Sequence, residues 1–181
     1  MNLPNRLTIL RVAMIPIFVV FMLWDVLPYS NIIAAVVFIL ACITDFLDGY
    51  LARKWNLITN FGKFMDPLAD KVLVCAAMIC FVADSTCPMP SWVVIVILGR
   101  EFIISGFRLV AAEQGVVIAA SYWAKVKTTV QMIMSIALIF NFQVQWFVVF
   151  ETILIYAALV LTIISLVEYL YKNRDVLKEV S

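Results

Sequence analysis

A chain of 181 residues with 65% hydrophobic and only 14% charged residues, at mean hydropathy +1.07, is too apolar for an ordinary water-soluble domain. Thirteen Lys and Arg against twelve Asp and Glu leave a net charge of +1, and the placement of these charges matters more than their sum. With no His and four Cys that lack Cys-x-x-Cys spacing, a zinc site is excluded, the cysteines read as buried or free thiols, and no nucleic-acid partner is expected.

The expected fold is an all-α membrane protein. A bilayer-spanning helix needs about 20 mostly apolar residues, and six runs qualify. The first, Leu7–Leu27, is too long for the apolar part of a signal peptide, contains Arg11 and lacks a small-residue cleavage site, so it reads as a retained span. The others are Ile32–Leu51, Phe64–Ala83, Trp92–Ala111, Ala124–Phe142 and Trp146–Tyr171. No internal repeat, low-complexity segment or soluble domain interrupts them, and residues 1–181 read as one transmembrane domain.

Basic residues orient these spans, because cytoplasmic ends retain Lys and Arg during insertion. The connections around residues 25–31, 84–91 and 141–146 contain neither. Basic side chains fall instead at the start (Arg6, Arg11), the second connection (Arg53, Lys54, Lys63, Lys71), the fourth (Arg108, Lys125, Lys127), the tail (Lys172, Arg174, Lys178) and within the fourth span (Arg100). Six transmembrane helices with cytoplasmic N- and C-termini satisfy that distribution. Pro28, Pro88 and Pro90, with Trp24, Tyr29, Trp92 and Trp146, mark the opposite interface.

The second connection carries the chemistry. Asp45 and Asp48 close the second span and Asp66 and Asp70 open the third; residues three or four apart share a helix face, so each pair converges. An Asp within the membrane costs on the order of 2.5–3.5 kcal/mol, and two carboxylates about 6 Å apart repel by roughly 3 kcal/mol at an effective dielectric near 20. Nearby Lys and Arg, or helix capping, could absorb part of this. Hard divalent cations with oxygen ligands absorb it in full, and two of them about 3.5–4 Å apart are a recurrent device for phosphoryl displacement. Gly49, Ala52 and Gly62 remove bulk beside the aspartates, which suits either close helix packing or the approach of a phosphate-bearing ligand, and Arg53 offers a fork for a phosphate oxygen.

These residues form the pattern Asp-x-x-Asp-Gly-x-x-Ala-Arg, eight further residues, then Gly-x-x-x-Asp-x-x-x-Asp. The pattern resembles the signature of the CDP-alcohol phosphatidyltransferase family, with every signature position filled. The resemblance implies six transmembrane helices, an active-site cavity open to the cytoplasm, a homodimer, and transfer of a substituted phosphate from a CDP-linked lipid to an alcohol with release of CMP. It implies two Mg²⁺ or Mn²⁺ ions. Asp45 and Asp66 would bridge both, Asp48 would complete the first site, and Asp70 would touch the second and accept the proton of the attacking hydroxyl. Gly49, Ala52, Arg53, Thr59 and Gly62, with Asn5 and Thr8, would contact the CDP-diacylglycerol donor.

The acceptor is argued separately. Arg100, Arg108, Lys125 and Lys127 lie toward the cytoplasmic side of spans four and five, and Arg100 and Arg108 fall about 80° apart on one helix. They serve either as anchors and partners of acids such as Glu101 or as a pocket for an anionic acceptor. Three runs resemble the bacterial branch of the family whose acceptor is sn-glycerol 3-phosphate: Asn2-Leu3-Pro4-Asn5-Arg6-Leu7-Thr8-x-x-Arg11, Arg100-Glu101-Phe102-x-x-Ser105-x-x-Arg108, and Lys125-x-Lys127-Thr128-x-x-Gln131. The expected location is a bacterial plasma membrane, with the active site facing the cytoplasm. Competing expectations are an inositol phosphate or phosphatidylglycerol acceptor, a membrane prenyltransferase, and a divalent-cation transporter.

Overall fold

Long apolar runs close their backbone hydrogen bonds internally, since hydrocarbon offers no partners. The computed structural model describes residues 3–24, 27, 29–54, 60–113, 118 and 121–174, and gives only the backbone course of residues 3–5, 46, 48–53, 60–64, 66, 67, 112 and 113. Among the described residues there are six helices and no strand: α1 (Leu3–Leu23), α2 (Ser30–Lys54), α3 (Asn60–Ala83), α4 (Ser91–Glu113), α5 (Tyr122–Phe140) and α6 (Gln145–Lys172).

Every expected apolar run is therefore helical, with ends displaced by no more than four residues. The largest differences have local causes. α1 stops at Leu23, short of Leu27, because the chain turns there: Ser30 Oγ donates to the Leu27 carbonyl at 2.8 Å and accepts the Leu27 N–H at 3.2 Å, while Tyr29 takes the left-handed φ of 77°. α2 runs on to Lys54, so the acidic and glycine positions expected at its end lie within helix.

Among the described residues two helices have the length and apolarity of a bilayer span, α1 over Arg6–Leu23 at hydropathy 2.1 and α6 over Gln145–Lys172 at 2.5; Ser30–Asp45 of α2 is a shorter apolar stretch. Charged residues along α3, α4 and α5 lower the hydropathy of those helices.

The helices gather into two compact units, residues 1–87 with 135–142 and residues 88–134 with 143–181. In the first, α1 packs along both α2 and α3. Its buried stripe is Thr8, Arg11, Ile15 and Phe18, the three-and-four spacing of one helix face. α2 answers with Ala34, Ala35 and Ala41, all without exposure, whose small side chains let the backbones approach; between them Phe38 meets Phe18 with ring centres 5.7 Å apart. α3 contributes Ala69, Leu73, Ala77 and Phe81. In the second unit α4 packs on α6, and Val93, Ile97 and Ile104 of the one and Ile155, Ala158 and Leu159 of the other are buried.

The polarity is inverted relative to a water-soluble protein. Ile9, Leu10 and Ile17 of α1 are 43–50% exposed, whereas Thr8, Arg11, Arg100, Lys127 and Glu151 are buried. An apolar exterior around a charged interior suits lipid as the solvent.

At the end of α5 in the first unit, Asn141 adopts φ 41° and its Nδ2 donates to Asp84 Oδ2 at 3.1 Å and Thr86 Oγ1 at 2.6 Å, tying the helix end to the turn after α3. Asp84 Oδ1 also accepts the Thr86 N–H at 2.8 Å. Asn141→Ala removes the amide donors and is expected to destabilise the protein by about 1–3 kcal/mol. The check is the thermal midpoint of the detergent-solubilised protein, and an unchanged midpoint contradicts the assignment.

Candidate active site

α2 places Asp45 and Asp48 within one turn near its C-terminal end, and α3 places Asp66 and Asp70 one turn apart near its start. Arg11 of α1, which packs on both helices, is completely buried, and its Nη1 lies 2.7 Å from Asp45 Oδ1. Asp45 itself remains 43% exposed and Asp70 is exposed, so both can take further ligands. Cys42, one turn before Asp45, lies within electrostatic range of Asp45, Asp70 and Arg11 together. Carboxylates from α2 and α3 thus share one neighbourhood, beside a guanidinium from α1.

The side chains of Asp48, Asp66, Ala52, Arg53 and Asn5 lie outside the described residues, as does the whole of Thr59; Gly49 and Gly62 are described only as helical backbone. Thr8 is buried on the face of α1 that carries Arg11, one turn earlier. Among the described residues no three metal-binding side chains form a cluster, and only Asp45 and Asp70 of the four aspartates are represented there. The donor chemistry nonetheless fits hard divalent cations: carboxylates from two helices, and no imidazole in the chain.

The second unit holds a separate cluster of charges. Arg100 of α4 is 7% exposed; its Nη1 donates to Glu101 Oε1 at 3.1 Å and its Nη2 to Ser165 Oγ of α6 at 2.8 Å. Ser165 Oγ in turn donates to the Thr162 carbonyl at 3.3 Å. Lys127 of α5, 2% exposed, also donates to Glu101 Oε1. Two cations on one oxygen lie about 6 Å apart or less, where like charges repel by roughly 3 kcal/mol at an effective dielectric near 20. Glu101 is what holds them together.

One turn along α6 from Ser165, Tyr169 carries the Arg108 guanidinium over its ring at 5.8 Å, and Phe107 meets the same ring edge-on at 5.5 Å. Arg100 and Arg108 therefore both face α6, as their helical offset predicts. The Nε atoms of both arginines are buried and have no hydrogen-bond acceptor among the described residues. Lys125, two residues from Lys127 and about 200° away around α5, is exposed and does not join the group.

Three participants had little or no signal in the sequence. Arg11 interrupts an apolar run, which marks it as partnered without naming the partner. Glu101 reads equally as a local mate of Arg100 and as a bridge to another helix. Ser165 is one hydroxyl in an apolar helix and carries no signal at all.

Residues 1–164 match the family model described as CDP-alcohol phosphatidyltransferase, and the chain belongs to that family. Within it, similarity extends nearly end to end to bacterial proteins named CDP-diacylglycerol–glycerol-3-phosphate 3-phosphatidyltransferase. The relative from Bacillus subtilis is 44% identical over 98% of this chain and 97% of its own length. That from Haemophilus influenzae is 42% identical over 93% and 91%, and that from Salmonella typhimurium 40% identical over 96% and 95%.

The Arg11–Asp45 pair is asymmetric in burial, and that asymmetry is testable. Asp45→Asn strips a wholly buried guanidinium of this carboxylate and is expected to cost about 3 kcal/mol, the low end for breaking a buried pair. Arg11→Gln leaves a half-exposed carboxylate that water can solvate, and is expected to cost about 1 kcal/mol. Thermal unfolding of both variants in the presence of a chelator checks the order; a larger loss for Arg11→Gln contradicts it.

Proposed function

We propose that this protein transfers the phosphatidyl group of CDP-diacylglycerol to sn-glycerol 3-phosphate, forming phosphatidylglycerophosphate and CMP for phospholipid biosynthesis. The observation that carries the reading is the near full-length similarity to bacterial relatives named for that reaction, together with a complete family signature from Asp45 to Asp70. In this reading the six helices all cross a bacterial plasma membrane, both termini are cytoplasmic, and residues 1–181 form one transmembrane domain that works as a homodimer. The inverted polarity and the confinement of Lys and Arg to alternate connections support it.

Asp45, Asp48, Asp66 and Asp70 hold two Mg²⁺ or Mn²⁺ ions, which when bound neutralise the diphosphate and the charge that develops on departing CMP. Arg11 fixes the Asp45 carboxylate from the side of α1. Gly49, Ala52 and Gly62 leave room for the CDP moiety against helical backbone, Arg53 binds a phosphate oxygen, and Thr59, Asn5 and Thr8 supply further polar contacts. The lipid tails remain among the helices. Arg100, Arg108 and Lys127 bind the acceptor's phosphate, while Lys125, exposed on the other side of α5, stays outside the group. Its 1-hydroxyl attacks the β-phosphorus: the new O–P bond forms, the bond to the oxygen of CMP breaks, and the hydroxyl proton passes to Asp70.

Asp70→Asn is expected to lower CMP release by about 10²–10⁴-fold while binding of CDP-diacylglycerol persists. Turnover near that of the unaltered protein removes Asp70 from the role of base. The acceptor is tested with purified protein, CDP-diacylglycerol and a panel of sn-glycerol 3-phosphate, glycerol, inositol phosphate and phosphatidylglycerol. CMP formation accelerated chiefly by sn-glycerol 3-phosphate is the expected result, and a stronger response to another alcohol replaces the acceptor. Metal flux into proteoliposomes without lipid substrate is expected to be absent.

A further inference from the structure

We propose that Glu101 is a positioning residue for the acceptor, its carboxylate gathering Arg100 and Lys127 into the arrangement that receives the phosphate of sn-glycerol 3-phosphate. The inference deepens the acceptor assignment above and rests on it.

The carboxylate joins two helices, and Arg100 extends the link to a third. Arg100 and Glu101 come from α4, Lys127 from α5, and Ser165 on α6 fixes the other end of the guanidinium. Both cations contact the same oxygen, Oε1, and both are buried, so water does little to screen their mutual repulsion. Without the carboxylate the two side chains move apart and have to be brought back when an anion binds. With it, the group is assembled in advance and carries a formal charge of +1, from two cations and one anion. That remaining charge suits an incoming phosphate monoester.

The donor count points the same way. Arg100 spends Nη1 on Glu101 and Nη2 on Ser165, yet its buried Nε has no acceptor among the described residues, and the buried Nε of Arg108 is in the same condition. Buried N–H groups are nearly always satisfied in folded proteins. Two such donors, on arginines that face the same helix, are what an oxyanion ligand supplies with acceptors. Ser165 and Tyr169, one turn apart on α6, hold the guanidiniums in place. Glu101 does not touch the reacting atoms; it acts through the cations.

Steady-state CMP release measures this directly, varying sn-glycerol 3-phosphate at saturating CDP-diacylglycerol and then the reverse. Glu101→Gln keeps the shape and removes the charge. It is expected to raise the acceptor KM about ten- to a hundredfold, with donor KM held within about twofold and kcat within about threefold. Glu101→Asp restores the charge and is expected to recover part of the acceptor KM. Ser165→Ala, which frees one end of Arg100, is expected to raise the acceptor KM by a smaller factor.

An acceptor KM unchanged or lowered in Glu101→Gln overturns the proposal. So does a parallel rise in both KM values with a lowered thermal midpoint that Glu101→Asp leaves uncorrected, since that marks a packing contact alone. Failure of the acceptor assignment is distinguishable: it is already visible in the unaltered protein, as CMP release indifferent to sn-glycerol 3-phosphate, and it removes both readings together.

Discussion

A charged side chain shut away from water has to meet its counter-ion inside the protein, and this requirement organises the molecule. Arg11 is completely buried in the apolar face of α1, and the Asp45 carboxylate of α2 lies 2.7 Å from it. The pair fixes which face of α1 turns toward α2, because a rotation by one residue would carry the guanidinium about 100° toward the outside. The same stripe carries Ile15 and Phe18, and Phe18 meets Phe38 of α2. Packing and electrostatics thus select the same helix face.

The second unit obeys the same rule with different parts. Arg100 and Lys127 would repel in isolation, and Glu101 between them converts a conflict into a junction of α4, α5 and α6. Hydrocarbon gives helices no hydrophobic reason to associate, so small residues and polar links carry more of the association than they would in water. Alanines without exposure on α2, and the Ser165 hydroxyl of α6 that accepts from Arg100 of α4, are the local forms of those two devices.

The chemistry is distributed accordingly. The carboxylates of the family signature sit at the adjoining ends of α2 and α3, where Asp45 and Asp70 stay accessible while Arg11 steadies the first of them. A helix pair joined by a short connection supplies acidic oxygens from two backbones, a donor set matched to hard cations. The guanidinium and ammonium groups of the other unit are constrained just as closely, but by partners that leave N–H donors of Arg100 and Arg108 unspent.

Much of this was legible in the sequence because long apolar runs have few alternatives. All six of them are helical among the described residues, since a backbone kept from water must bond within its own segment. The aspartate spacing, at three and four residues, placed each pair on one face before any coordinates were needed. Helical offset likewise predicted that Arg100 and Arg108 share a side, and their partners Ser165 and Tyr169 lie one turn apart. Where α1 ends was not legible, because the Ser30–Leu27 turn is decided by a side-chain hydrogen bond and a left-handed Tyr29 that hydropathy does not register. The two-residue offset of Lys125 and Lys127 places them on different faces of α5, but which of them turns inward was not legible: Lys127 is buried on Glu101 and Lys125 is exposed. Local order follows from each residue's neighbours along the chain, so periodicity and spacing determine helices, faces and the family signature. Which acid meets which base is a matter of long-range packing, and only the folded chain decided that Arg11 belongs to Asp45 and that Glu101 gathers Arg100 with Lys127.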